Sequence, residues 1–160
     1  MSDISEAGRD EFIITEVDPR CAESIDLQWE MRRELDRRYD MVTIGNPPLE
    51  QFRAPRAVFL IAWSAGSPVG CGAFKTLNEN IAEVKRVFVK EAFRRNGLAR
   101  QIMQDLERRA VAYGYKSIFL ESGERQPEAL SLYESLGYER VPCDGKVPCE
   151  DWSVCFEKTL

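Results

Sequence analysis

Residues 83–99 read Glu83-Val84-Lys85-Arg86-Val87-Phe88-Val89-Lys90-Glu91-Ala92-Phe93-Arg94-Arg95-Asn96-Gly97-Leu98-Ala99. The first seven have the β-branched and aromatic content of a strand, which the pattern extends back to Ile81. Beyond the turn, Leu98, Ile102, Leu106, Ala110 and Tyr113 recur at spacings of three and four, the apolar stripe of a helix. That helix opens at Asn96 or Gly97 and stops near Gly114. A strand that runs through a basic, glycine-containing turn into a helix aims backbone N–H groups and the positive end of the helix dipole at one spot. Such a spot favours a phosphate. Gly97 lets the backbone approach a ligand closely, and small Ala99 removes bulk just beyond it.

Charge points the same way. Between Val84 and Arg109 stand eight basic residues (Lys85, Arg86, Lys90, Arg94, Arg95, Arg100, Arg108, Arg109) and three acidic ones (Glu91, Asp105, Glu107). The segment is therefore +5 in a chain of net −5, which leaves −10 for the remainder. A basic focus on an acidic protein fits one discrete polyanionic ligand better than a nucleic-acid surface.

Working outward, residues 57–63 form an apolar strand, 64–68 a turn, and 69–77 the returning strand of a hairpin; residues 77–80 turn into the 81–89 strand. Upstream, residues 1–10 are small and charged and read as a disordered leader. Phe12, Ile13, Ile14 and Val17 give a short strand closed by Asp18-Pro19. Ser24 can cap a helix that runs to about Tyr39, with Ile25, Trp29, Arg32, Leu35 and Tyr39 on one face. Gly45-Asn46-Pro47-Pro48 begins a loop with one short helical turn near 49–52. Downstream come a strand at 117–120, a helix opened by Pro127 and stopped by Gly137, and strands at 138–141 and 152–156. With no linker or repeat, residues 1–160 read as one mixed α/β domain.

The 160 residues include no histidine. That excludes Ser–His–Asp and Cys–His nucleophile systems and most catalytic zinc sites. The sequence holds no GxxxxGK[ST], and Gly70-Cys71-Gly72 lies inside a strand pattern, so neither a P-loop nor a dinucleotide-binding turn is present. Five cysteines, an odd number without a secretory signal, are expected as free thiols. Cys143, Cys149 and Cys155 are spaced by six, which matches no usual zinc pattern, so no metal is expected. The apolar stretch at 57–63 is too short to span a bilayer. The expectation is a cytoplasmic protein with neither membrane nor nucleic acid as a partner.

Four segments, in order, carry a resemblance. Arg94-Arg95-Asn96-Gly97-Leu98-Ala99 fits the pattern [QR]-x-x-G-x-[GA]; Val69-Gly70-Cys71-Gly72-Ala73 resembles a "vGxg" central strand; Ala82-Glu83-Val84 through Val89 resembles the strand before a pyrophosphate loop. Leu132-Tyr133-Glu134-Ser135-Leu136-Gly137-Tyr138 is similar to an "LYexxGF/Y" helix end. Together, over about 57–141, they resemble the GNAT superfamily of acyl-CoA-dependent N-acetyltransferases.

That resemblance implies a GNAT-like fold: an α/β (α+β) protein with a mixed, mostly antiparallel sheet of six or seven strands, splayed in the middle and flanked by helices on both faces. It implies acetyl-CoA as acyl donor and a small-molecule or peptide amine as acceptor, with direct transfer and no metal. Backbone groups of Val87, Phe88 and Val89 would bond the pantetheine arm. N–H groups of Arg95, Asn96, Gly97, Leu98 and Ala99, with the side chains of Arg94 and Arg100, would hold the pyrophosphate. Gln126 stands where the family often has an asparagine against the cofactor. Tyr133 would be the general acid; a phenol of pKa about 10 suits the protonation of a departing thiolate.

The general base stays open between Glu83, Glu121 and a water chain. Lys85, two residues beyond Glu83 on the same strand face, is placed to pair with it. Glu30, Glu34, Asp36, Asp40 and Glu50 lean toward a cationic acceptor. A non-catalytic acyl-CoA-binding or regulatory module on the same fold is the alternative function, and a homodimer is left open.

Overall fold

The computed structural model describes residues 11–143 and 145–160; the expected leader at 1–10 lies outside the described residues. The strands are β1 (Ile13–Glu16), β2 (Val58–Ser64), β3 (Ser67–Thr76), β4 (Ile81–Val89), β5 (Ser117–Gly123), β6 (Glu139–Val141) and β7 (Ser153–Thr159). The helices are α1 (Ala22–Tyr39), α2 (Leu98–Ala112) and α3 (Pro127–Ser135), with a short 3-10 turn at Glu50–Phe52. All seven strands join one sheet in the order β1-β2-β3-β4-β5-β7-β6. Every neighbouring pair is antiparallel except β4 and β5, which are parallel. Parallel neighbours need a long crossover, and here α2 supplies it.

The period-2 alternation of the central strands loads both faces of the sheet. Val58, Leu60 and Ala62 pack with Leu98, Ile102 and Leu106 of α2 on one face. Phe59, Ile61, Cys71, Ala73 and Phe88 pack with Leu27 and Met31 of α1 and with Phe52 on the other. α3 adds Ala129, Leu130, Leu132 and Leu136 to the α2 side. The site is therefore framed by α1 on one face and by the start of α2 on the other.

Several local expectations change. The β2–β3 turn is not 64–68 but the two residues Ala65 and Gly66, both left-handed at φ 47° and 82°, with Ser64 paired to Ser67. A two-residue turn of that hand matches the twist of the strands, so Pro68 falls inside β3, opposite Trp63 at a register shift. Ser24 is not the cap of α1: the chain bends after Asp18-Pro19, Cys21 takes the cap position, and Ser24 is buried in the first turn, where its hydroxyl accepts from Gln28 Nε2 at 3.0 Å. Finally, Cys143 and Cys155 form a disulfide, which leaves Cys21, Cys71 and Cys149 outside it. The cause is register: Cys155 lies beside Val141 in the β6–β7 pair, and Cys143 is two residues further along the chain from Val141. Signal content says nothing about that proximity.

Candidate active site

The parallel pairing of β4 with β5 runs from Ile81↔Ser117 to Val84↔Leu120 and stops there, although both strands continue. Beyond Val84, β4 stays joined to β3, and β5 to β7. The two strands thus splay, and the β4 edge from Lys85 to Val89 is left without a strand partner. Backbone groups at a sheet edge need partners, so this edge is a ready receptor for a polar, extended ligand. Val87, Phe88 and Val89 lie on it. One carbonyl there is already used: Arg94 Nε donates to the Val89 oxygen at 2.8 Å.

Within the splayed half, β4 carries an extra residue. Cys71 pairs with Phe88 and Ala73 with Lys85, so Arg86 and Val87 together face Gly72 alone. This bulge holds Arg86 in the left-handed region at φ 63°. Val87 packs toward the α2 side, whereas the Arg86 guanidinium lies 5.8 Å over the Phe52 ring on the α1 side. Arg86 Nε is buried and has no hydrogen-bond partner among the described residues. Burial, and then repulsion from Arg32, hold the Arg86 pKa below the ordinary arginine value.

After β4 the chain makes a short 3-10 turn, and two left-handed residues, Arg95 at 66° and Gly97 at 75°, lead into α2. Gly97 is the cap residue, and no side chain caps the helix. The first N–H groups of α2 therefore have no intrahelical acceptor and face outward with the dipole's positive end. Space at Gly97 is open, with no atom within 4 Å of where a Cβ would stand. Asn96 and Arg95 are exposed, and Leu98 is buried and anchors the turn in the core. Arg94 is not free: besides Val89, it bonds Glu34 of α1 at 2.7 Å. Arg100 donates to Ser135 Oγ at 2.6 Å.

A cleft of about 710 Å³ opens on the α1 side, and Tyr133, Glu83, Glu121, Val87 and Gln126 all line it. Phe88, Val89 and residues 94–100 do not line it. Tyr133 is buried at the α3 end, in ring contact with Tyr138 and Phe156 at 6.0 and 5.8 Å. Burial pushes its pKa up to about 12, so it stays a proton donor at neutral pH. Glu83 is almost wholly buried at 3% exposure and is held by two lysines, Lys75 at 3.3 Å and Lys85 at 3.7 Å. Glu121 is half-buried, and its pKa is raised, chiefly by desolvation, against hydrogen bonds from Ser153 and Cys149 and the pull of Lys85. Gln126 caps α3 by position and reaches the Tyr39 hydroxyl at 3.3 Å.

The outer wall comes from α1 and the C-terminal loop: Tyr39 and Trp152 stack at 4.3 Å, and Lys146, Val147 and Pro148 form a lip. Of the five carboxylates expected to receive a cation, only Asp36 lines the cleft, and Thr43 holds it through N at 3.0 Å and Oγ1 at 2.5 Å. Glu34 is spent on Arg94 and Glu50 on Arg53. Sequence reading missed Arg32, Lys75, Arg86 and Lys146 as cleft residues; the one signal for Arg86 was a second basic residue directly after Lys85 within the strand. The three thiol positions Cys143, Cys149 and Cys155 do cluster, their sulfurs within 4.8 Å of one another, but two of them are joined in the disulfide.

Residues 20–138 match the acetyltransferase (GNAT) family. The "IAA acetyltransferase" of Azospirillum brasilense is 34% identical over 113 residues, covering 70% of this chain and 74% of that protein. A Klebsiella pneumoniae structure described as an acyl-CoA N-acyltransferase superposes with a TM-score of 0.78 at 27% identity, over 93% of this chain and 97% of that one. The same fold appears, at 16% identity and a TM-score of 0.68, in a GNAT family acetyltransferase of Elizabethkingia anophelis with acetyl-CoA bound, over 94% and 99% of the two chains. A splayed seven-stranded sheet, an uncapped helix start after it and a match over most of the length agree: the chain belongs to the GNAT acetyltransferase family.

Proposed function

We propose that the protein transfers an acetyl group from acetyl-CoA to a primary amine by direct attack. The observation that carries this reading is the end of β4–β5 pairing at Val84↔Leu120, directly above a cleft that holds Glu121 and Tyr133. The pantetheine arm lies along the open edge at Val87–Val89. The pyrophosphate sits on the N–H groups of residues 95–99, with the Arg95 and Arg100 side chains nearby. Arg94 steadies this region by tying the end of β4 to α1.

Glu121 is the better base of the two carboxylates. Lys75 and Lys85 neutralise Glu83, whereas desolvation raises the proton affinity of Glu121. Glu121 takes a proton from the acceptor ammonium, and the freed lone pair attacks the thioester carbon. The carbon–sulfur bond then breaks, and the sulfur leaves as a thiolate that accepts a hydrogen bond from the Tyr133 hydroxyl. Burial holds the Tyr133 phenol well above the ordinary thiol range, so full proton transfer to the thiolate is uphill. Tyr133 therefore keeps its proton and acts as a hydrogen-bond donor to the developing thiolate, and the nitrogen's second excess proton passes to the departing thiolate as the intermediate collapses.

The test is release of CoA thiol from acetyl-CoA across a panel of amines, in the parent and in Tyr133→Phe. Turnover with at least one amine is expected, with kcat reduced about 10²- to 10⁴-fold in the variant and acetyl-CoA affinity held. Tight acetyl-CoA binding without release to any amine identifies a binding module instead, and unchanged turnover in Tyr133→Phe removes that residue from its role.

A further inference from the structure

The cleft is more basic than an amine-receiving pocket needs to be. Five cationic side chains line it (Arg32, Lys75, Lys85, Arg86, Lys146), against Asp36, Glu83 and Glu121. Most of the five are accounted for. Lys75 and Lys85 share Glu83, and Lys146 pairs with Glu157 at 3.0 Å. Arg32 donates to the Gly45 carbonyl at 2.7 Å and lies 5.2 Å over the Trp29 ring.

Arg86 is the exception. Among the described residues no carboxylate lies within ion-pair distance of it, and its buried Nε has no acceptor. A buried charged donor without a partner is costly, so it calls for an explanation, and a ligand that supplies the missing acceptor is one. Two further features show that the placement is imposed by the fold. The bulge holds Arg86 at φ 63°, a conformation that costs a non-glycine residue roughly 1–2 kcal/mol. It also turns the side chain onto the α1 face, where a regular strand would send residue 86 to the opposite face from Glu83 and Lys85.

We propose that Arg86, with Arg32 behind it, recognises a carboxylate on the acceptor, so that the substrate class is an amine that carries a carboxylate. This rests on the acetyl-transfer reading above and narrows its acceptor. The planar guanidinium fork matches a carboxylate through two parallel N–H···O bonds, a geometry that a lysine does not offer. The other end of such a zwitterion is provided for as well. Its ammonium finds Glu121 and Asp36 on the same cleft, and Glu121 is the group proposed to deprotonate it.

The experiment titrates the CoA-saturated protein, by calorimetry, with α-, β- and γ-amino acids and aminobenzoates, each beside its carboxamide. The same pairs are then assayed for CoA release from acetyl-CoA. The expected result is at least one acid bound and acetylated about 10- to 100-fold better than its amide. That preference collapses toward unity in Arg86→Gln and in Arg86→Gly. The glycine variant suits the left-handed backbone and so guards against misfolding, and acetyl-CoA affinity, measured separately, reports that the cofactor site is intact. Equal handling of acids and amides, binding of no acid at all, or a preference that survives both substitutions overturns the proposal. An acid preference in binding without CoA release would leave carboxylate recognition standing and refute the transfer reading; acetylation of amines lacking a carboxylate alone would do the reverse.

Discussion

Gly72→Ala tests whether the bulge and the seat of α2 are built on one missing methyl group. A Cβ at Gly72 would stand 2.6 Å from Ile102 Cγ2 and 3.1 Å from Leu106 Cδ1, with Val87 Cγ2 at 3.6 Å. Carbon pairs prefer about 3.5–4.0 Å, so α2 must retreat from β3 by roughly 1 Å, or Ile102 must leave its rotamer. Ile102 and Leu106 are fully buried, and no solvent-side slack absorbs the shift. Overpacking of this kind costs about 2–3 kcal/mol, the upper part of the usual range. For a chain of this length the Tm should fall by roughly 4–12 °C in calorimetry. Because α2 begins at the Gly97 turn, acetyl-CoA binding should weaken in parallel. The cycle is closed with Ile102→Ala, which alone costs about 2–5 kcal/mol through its cavity. In the double variant the new methyl occupies part of that cavity, so the combined loss should fall short of the sum by at least about 1 kcal/mol. Strict additivity, or a Gly72→Ala Tm within about one degree of the parent, would falsify the packing account.

Further outcomes are expected at the other parts of the site. Gly97→Glu should abolish measurable acetyl-CoA binding in calorimetry while the protein stays folded: the space is open, but a carboxylate would meet the phosphates on a φ of 75°. Normal binding would remove the pyrophosphate from this turn. Glu121→Gln should lower kcat/KM about 10²- to 10⁴-fold; a larger loss in Glu83→Gln would transfer the role of base to that residue. In the parent, kcat/KM should rise with pH through an inflection above the ordinary 4.5 of a glutamate, because burial raises the Glu121 pKa. The sign for stability is opposite. A carboxyl whose pKa is raised by folding favours the folded state below its unfolded pKa and loses that contribution as pH rises through the folded value. Glu121→Gln should therefore raise the Tm at neutral pH even as it removes activity. Alkylation of the denatured, unreduced protein should label three cysteines, Cys21, Cys71 and Cys149, and all five after reduction. Five labels without reductant would eliminate the Cys143–Cys155 bridge.

What could be read in advance was what short-range patterns decide. The strand, turn and helix of residues 81–112 followed from β-branched content, Gly97 and a 3.6-residue stripe, and they stand nearly where the pattern put them. The Glu83–Lys85 pair, two residues apart on one strand face, is also present at 3.7 Å. What could not be read depends on partners distant in the chain. Glu34 looked like a receptor for a cationic substrate, but its charge is taken by Arg94, 60 positions away. Cys143 meets Cys155 because β6 returns beside β7, and no local signal reports that return. Arg86 is the sharpest case. Strict alternation would place it on the face opposite Glu83, yet Gly70 and Gly72 let α2 press close against β3, and β4 takes up an extra residue across from Gly72. The same non-local register that opens β4 from β5 thus sets a guanidinium without a carboxylate partner among the described residues into the cleft. In the proposed reading, cofactor binding follows from a motif that local sequence specifies, and acceptor choice from a bulge that the whole sheet specifies. A substitution at Gly70 or Gly72 should for that reason disturb the acid-over-amide preference as well as stability, although neither glycine touches the acceptor. If such a variant stays folded with its preference intact, the aim of Arg86 does not come from the bulge.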